Sequence, residues 1–231
     1  MQKWKLKALV LAILVAALVI VTAFLGWDNY LNWLIFLSVA AGIFVNMFSA
    51  QGHWVCFVFS IISYALYIPF CLMTNYYGEL IVSMLVIGAN LITLFKWKKN
   101  TKNKVAAVSR LSVKEILICC AVAVGLAVGL GFVFMLFDTA YPFLNSVCTI
   151  SIIVGFYFAY RISRNEFITA IINGIAYSIL WVLAAVNGDG FDYLLFAVGG
   201  FIGICYSIYG FIHWGKLYRK QNPLREELVG K

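Results

Sequence analysis

The sequence predicts an all-α integral membrane protein with eight transmembrane helices, and three observations predict it. Of its 231 residues, 64% are hydrophobic types and only 11% are charged, whereas a soluble surface needs roughly 25% charge. Eight apolar runs reach or approach the ~20 residues that a helix needs to cross the hydrocarbon core. The charges between those runs fall on alternate sides, as insertion requires.

The runs are Leu6–Gly26, Leu31–Ala50, Trp54–Met73, Glu79–Trp97, Ile116–Phe137, Pro142–Tyr160, Phe167–Val186 and Tyr193–Gly215. Backbone groups in hydrocarbon must bond to one another, which leaves helices or a closed barrel. These runs are continuous and too long for the short alternating strands of a barrel. The first run follows Lys3, Lys5 and Lys7, as a signal peptide would. Its length, and the lack of a small-x-small site before Trp27 and Asp28, favour an uncleaved helix.

With eight spans, one side collects the amino terminus, Gln51–His53, Lys98–Lys114, Arg161–Glu166 and the tail after Trp214. Counting Lys96 at a helix end, that side holds all 17 Lys and Arg. The other side holds Asp28, Glu79, Asp138, Asp189 and Asp192. Positive residues mark the cytoplasmic side, so both termini are expected in the cytoplasm. The formal charge of +8 then follows from insertion, and nucleic-acid binding, which needs a water-facing basic domain, is excluded. The linker KWKKNTKNK reads as a solvated connector near lipid heads. Cys56, Cys71, Cys119, Cys120, Cys148 and Cys205 all fall in apolar runs, as packing residues rather than a disulfide framework.

Two pairs of runs look alike. Aligning Trp97 with Trp214 pairs Asn90 with Ser207, and aligning Tyr64 with Tyr177 pairs Ser60 with Asn173. The second to fourth runs and the sixth to eighth then form two three-helix units, with the fifth as the inverting connector that lets them run parallel. Parallel repeats of this kind hold substrate between them near the midplane. The expected organisation is an extra helix over 1–30, repeat 1 over 31–100, linker and connector over 101–140, repeat 2 over 141–217 and a tail over 218–231.

Several chemistries are missing from the sequence. There is no GxxxxGK[ST] loop for ATP, and no His/Cys/carboxylate cluster suits a metal. No run carries an ionisable residue in its middle, where a proton or cation relay would stand. No cofactor and no catalytic group is expected, so the chain is not read as an enzyme, and transport would be downhill. The intramembrane chemistry is neutral, polar and aromatic. Asn173, Tyr177 and Trp181 share one helix face at i, i+4, i+8. Ser60 and Tyr64, Ser83 and Asn90, and Ser207 add polar groups from three other runs. Such a chamber suits a flat ring bearing hydroxyls. A lone buried Ser more often only joins helices. Asn46 reads equally as a helix cap or a gate, and Pro69 as a hinge or a simple bend. Gly199, Gly200 and Gly203 are expected to allow close helix packing.

On YYGELIVSMLVIGANLITLFKWKK in repeat 1, FITAIINGIAYSILW in repeat 2 and the aromatic-then-basic ending of both third helices, the chain resembles the bacterial nicotinamide riboside transporters of the PnuC type over most of residues 31–217. The resemblance implies a fold like that of the SWEET sugar transporters, a facilitator mechanism, and trapping of the substrate by a separate cytosolic kinase. It implies substrate contacts at Asn90 and Asn173. The chain departs from the family at Ser83, where Gln is expected, at Ser60, where Asn is expected, and at Thr169, where Trp is expected. Relatives handle thiamine, riboflavin or deoxynucleosides, which stand close behind nicotinamide riboside as substrates. A non-transporting membrane subunit is the alternative from another class. Expected partners are the small substrate, membrane lipid and the kinase, with a homo-oligomer left open.

The charge segregation makes a direct prediction. In intact cells, an impermeant thiol reagent should label Asp189→Cys and leave Lys102→Cys unlabelled. The reverse pattern would invert the topology.

Overall fold

A computed structural model describes residues 30–73, 77–102, 105–137, 139–189 and 193–222, together with Ile13, Ala17 and Ile20. The expected helix Leu6–Gly26 otherwise lies outside the described residues. Seven long helices follow: α1 Tyr30–Ala50, α2 Val55–Met73, α3 Tyr77–Lys99, α4 Val113–Leu136, α5 Pro142–Tyr160, α6 Glu166–Ala184 and α7 Leu194–Gln221. Among the described residues, six of them are long and apolar enough to cross a membrane. The chain is thus an all-helical membrane protein. α3 carries Glu79 in its first turn and Lys96, Lys98 and Lys99 in its last.

Three boundaries depart from the sequence expectation. α7 runs on to Gln221, well past Gly215, because its end is tied to the linker rather than released into solvent. α6 closes in a π-helical turn, Ala185–Asp189. The linker is not a bare solvated connector: it holds a small antiparallel pairing of β1 Thr101–Lys102 with β2 Val105–Ala106.

The helices close into a ring. α1 packs on α2 and α7, α2 on α3, α6 on α5 and α7, and α3 more lightly on α5. α4 lies outside, chiefly against α5, and Gly131 is its one buried residue among those described. A Cβ at Gly131 would sit 2.4 Å from the Phe143 ring, so this is where the two helices touch. Elsewhere α4 presents Leu117, Val124, Phe132 and Leu136 outward, as a helix in lipid does.

Between apolar helices in lipid, close packing and polar bonds replace the hydrophobic drive. Ser63 Oγ donates to Ser38 O at 2.8 Å, and Ser38 Oγ donates to Ser63 O at 3.0 Å, joining α1 to α2. Ser178 Oγ donates to Ala197 O at 3.1 Å, joining α6 to α7. Two aromatic clusters cap the ring. At the end opposite the lysines, Phe196 gathers Tyr67, Phe70 and Trp181 with ring centroids 4.8–5.6 Å away.

The basic end is locked reciprocally. Trp97 Nε1 of α3 donates to Ala159 O of α5 at 2.6 Å, and Trp214 Nε1 of α7 donates to Ser49 O of α1 at 3.1 Å. The two indoles lie 5.3 Å apart. Phe57 meets Trp97 edge-on and Phe167 meets Trp214 in the same way. The linker crosses this end: Ala106 N donates to Gly52 O at 3.0 Å and Ser109 N to Ile162 O at 2.9 Å. Gln221 completes the strap, accepting from Val108 N and donating to Ala106 O. Gly52 and Ile162 both hold positive φ, 72° and 53°. Such a conformation is unusual for a β-branched residue, and the buried Ile162 side chain holds it in place.

The closest helix approach yields a prediction. A Cβ at Gly174 would lie 2.7 Å from Ile204 Cγ1 and 3.1 Å from Gly200 O. Gly174→Val should therefore push α6 from α7 and cost about 1–3 kcal/mol, read as a lower melting temperature in detergent. Gly88→Ala, whose Cβ meets nothing within 4 Å, should leave the melting temperature unchanged.

Candidate functional site

Between the two aromatic clusters, the ring encloses a cavity of about 360 Å³. Every helix of the ring contributes to its lining and α4 contributes none. Glycines make the space: Gly42, Gly155, Gly174, Gly199, Gly200 and Gly203 all line it. Gly199 and Gly200 therefore do two things, since a Cβ at Gly199 would also lie 2.8 Å from Val39 Cγ1 and one at Gly200 2.5 Å from Ser178 Oγ.

Six of the eight residues singled out in the sequence line this cavity: Ser60, Tyr64, Asn90, Asn173, Tyr177 and Ser207. Asn90 is 1% exposed, and its Nδ2 donates to Ser60 Oγ at 2.8 Å, so its amide nitrogen joins α3 to α2. Asn173 differs. Its Oδ1 is buried and accepts no hydrogen bond from a described residue. An unpartnered buried acceptor costs about 1–3 kcal/mol and calls for an explanation; a ligand donor in the cavity supplies one.

The other two residues stand elsewhere. Ser83 is fully buried and donates to Glu79 O of its own helix at 2.7 Å. Trp181 is not in the cavity lining: its ring stacks on Tyr193 with an interplanar angle of 14° and packs on Phe196. It forms part of the cluster that closes the cavity at the end opposite the lysines. Thr169 lines the cavity and donates to Glu166 O at 2.7 Å, and Asn46 lines it while donating to Gly42 O at 3.0 Å.

Sequence reasoning missed Glu79 and Glu166. Both line the cavity, and Glu166 is 8% exposed with Oε1 accepting from Ser49 Oγ at 2.8 Å. Each sits near a helix start, where a Glu reads as an ordinary partner of the helix dipole. The overlooked signal was periodicity. Eleven residues make three turns, so Glu79 shares a face with Asn90, and Glu166 shares one with Asn173 and Tyr177. The same rise places Glu166 about 16 Å along the axis from Tyr177. No Lys, Arg or His is among the described lining residues.

Comparison with known proteins gives three matches. A family model described as nicotinamide mononucleotide transporter matches residues 32–216. A nicotinamide riboside transporter PnuC from Neisseria mucosa is 25% identical over 201 residues, covering 83% of this chain and 75% of that protein. A crystal structure of the vitamin B3 transporter PnuC superposes with a TM-score of 0.77 at 22% identity, covering 94% of this chain and 93% of that one, which shows the shared fold.

The cavity geometry separates recognition from packing. Asn173→Ala removes an acceptor with no described partner, so ligand binding should weaken by roughly two- to tenfold with the ligand-free melting temperature unchanged. Asn90→Ala and Trp181→Ala remove packed groups as well, and each should lower that melting temperature. A ligand titration and a thermal scan of the three variants check the pattern. A fall in melting temperature for Asn173→Ala with unchanged affinity would make it a structural residue.

Proposed function

We propose, from the premise that the chain belongs to the nicotinamide mononucleotide transporter family, that it carries nicotinamide riboside, or a similar vitamin or nucleoside, downhill across the bacterial inner membrane. The family is one of transporters, not enzymes. The observation that carries this reading is the cavity inside the ring, where Asn173 offers an unpartnered acceptor beside Tyr64 and Tyr177. A membrane scaffold needs packing faces but no such chamber. The riboside is preferred to the mononucleotide because a phosphate calls for Arg or Lys, and the lining offers two carboxylates instead.

The finer architecture belongs to the same proposal. Eight spans, both termini cytoplasmic, and repeats over 31–100 and 141–217 around a connector helix account for the segregated charges. Reciprocal contacts support the repeats: Trp97 with Phe57 and Ala159 mirrors Trp214 with Phe167 and Ser49. In these contacts Phe57 answers to Phe167, about one turn away from the register obtained by aligning Tyr64 with Tyr177. Substrate contacts are assigned to Asn173, Tyr177, Tyr64, Asn90, Ser60 and Ser207, with Trp181 closing one end. Retention in the cell falls to a separate kinase.

Liposomes holding the purified protein should equilibrate radiolabelled nicotinamide riboside with no ion gradient and no ATP. Accumulation above the outside concentration that collapses with an ionophore would replace facilitation by coupled transport. Absence of any protein-dependent flux would remove the transport reading.

A further inference from the structure

The lining of the cavity carries an uneven charge that the transport reading does not by itself explain. Glu166 stands in the first turn of α6, at the basic end, and Glu79 in the first turn of α3, at the opposite end. Both side chains face the same cavity. Ser49 holds Glu166 Oε1 at 2.8 Å. Among the described residues the only ion pair is Arg161 with Glu115. The nearby Arg164 instead places its guanidinium over the Phe211 ring, 4.8 Å from the centroid. A carboxylate that is 8% exposed and lacks a protein cation is costly to keep charged. A cation delivered into the cavity removes that cost, and inside the membrane two charges attract over several Å with little screening. The rest of the lining agrees. Asn173 Oδ1 is an unpartnered acceptor, and Tyr64, Tyr177 and Phe57 line the cavity with aromatic rings, a residue type that attracts cations.

We propose that Glu166 makes this cavity selective for a singly cationic ring compound, such as an N-substituted pyridinium, by supplying its counter-charge. This inference rests on the transport reading and narrows it. Among the substrate classes considered, quaternary-nitrogen rings such as nicotinamide riboside and thiamine fit, and neutral flavins and deoxynucleosides do not. Ser49 acts as a positioning residue that keeps the carboxylate turned into the cavity.

A redox pair of ligands isolates the charge. Nicotinamide riboside is a cation, and its 1,4-dihydro form is neutral with nearly the same outline. The purified full-length protein in nanodiscs is titrated with each. The wild type should bind the cation at least about tenfold more tightly than the neutral form. Glu166→Gln should bring the two affinities to within about twofold, by weakening the cation alone, with the ligand-free melting temperature unchanged or raised. Glu166→Asp, which keeps the charge, should keep the preference, and it tests the assignment by itself if the Gln variant does not fold. Equal binding of both forms by the wild type leaves the transport reading standing and overturns the charge assignment. A preference that survives Glu166→Gln, is lost in Glu166→Asp, or falls together with neutral-form affinity overturns it as well. A wild type that binds neither form removes the substrate reading and this inference with it.

Discussion

Two indole hydrogen bonds hold the basic end of the ring closed. Trp97 reaches from α3 to the end of α5, and Trp214 reaches from α7 to the end of α1. Each joins a helix late in one half of the ring to the last turn of the first helix in the other half. Without them the light packing of α3 on α5 would be the seam at which the ring opens. With them, the halves meet in a dry aromatic contact roofed by the strapped linker. Carbonyls at helix ends lack intrahelical donors; here Ser49 O and Ala159 O each accept from a turn N–H, of Gly52 and Ile162, and also from an indole of the opposite half. The indole bonds thus tie two helix ends to the opposite half and close the chamber.

Closure from both ends explains why the cavity sits where it does. The Trp97–Trp214 pair bounds it at one end and the Phe196 cluster at the other. Polar groups that face the lumen divide into two kinds. Ser38, Ser63 and Asn90 spend their donors on neighbouring helices and hold the wall together. Asn173 Oδ1 has no described partner, and Glu166 joins it in the lining. α4 belongs to neither group; it reverses the direction of the chain and leaves the wall to the other six helices.

Much of this was legible in the sequence because membrane physics is restrictive. Long apolar runs must be helices, and the lysines must gather on one side, so α1 to α6 emerged within a few residues of their ends. Asn173 and Tyr177 were found because a helix face repeats every 3.6 residues and amides are rare in such runs. Three features were not legible. Trp181 has the spacing of the site face, but stacking on Tyr193 at the start of α7 draws it into the closing cluster. Ser83 points back to its own helix, a choice that local sequence does not encode. Glu166 follows Arg161 and Arg164 in a charged turn, and only the arrival of α1, with Ser49, turns it from a surface residue into a wall residue. The folded linker was hidden for a similar reason, since its partners Gly52, Ile162 and Gln221 are distant in the chain.

The glycines of the wall are not equivalent. A Cβ at Gly174 or Gly200 would strike a neighbouring helix, so those two positions set how closely α6 and α7 approach. A Cβ at Gly42 would rest in ordinary contact, 3.8 Å from Ser63 Oγ, and one at Gly203 would lie 3.4 Å from the Asn46 amide. At these two positions a methyl group can be added without moving a helix, and the added volume comes out of the lumen. The chamber therefore has adjustable walls on a fixed frame. Its bore can be trimmed one methyl at a time during divergence, while the frame, the roof and the direction of the charge stay as they are.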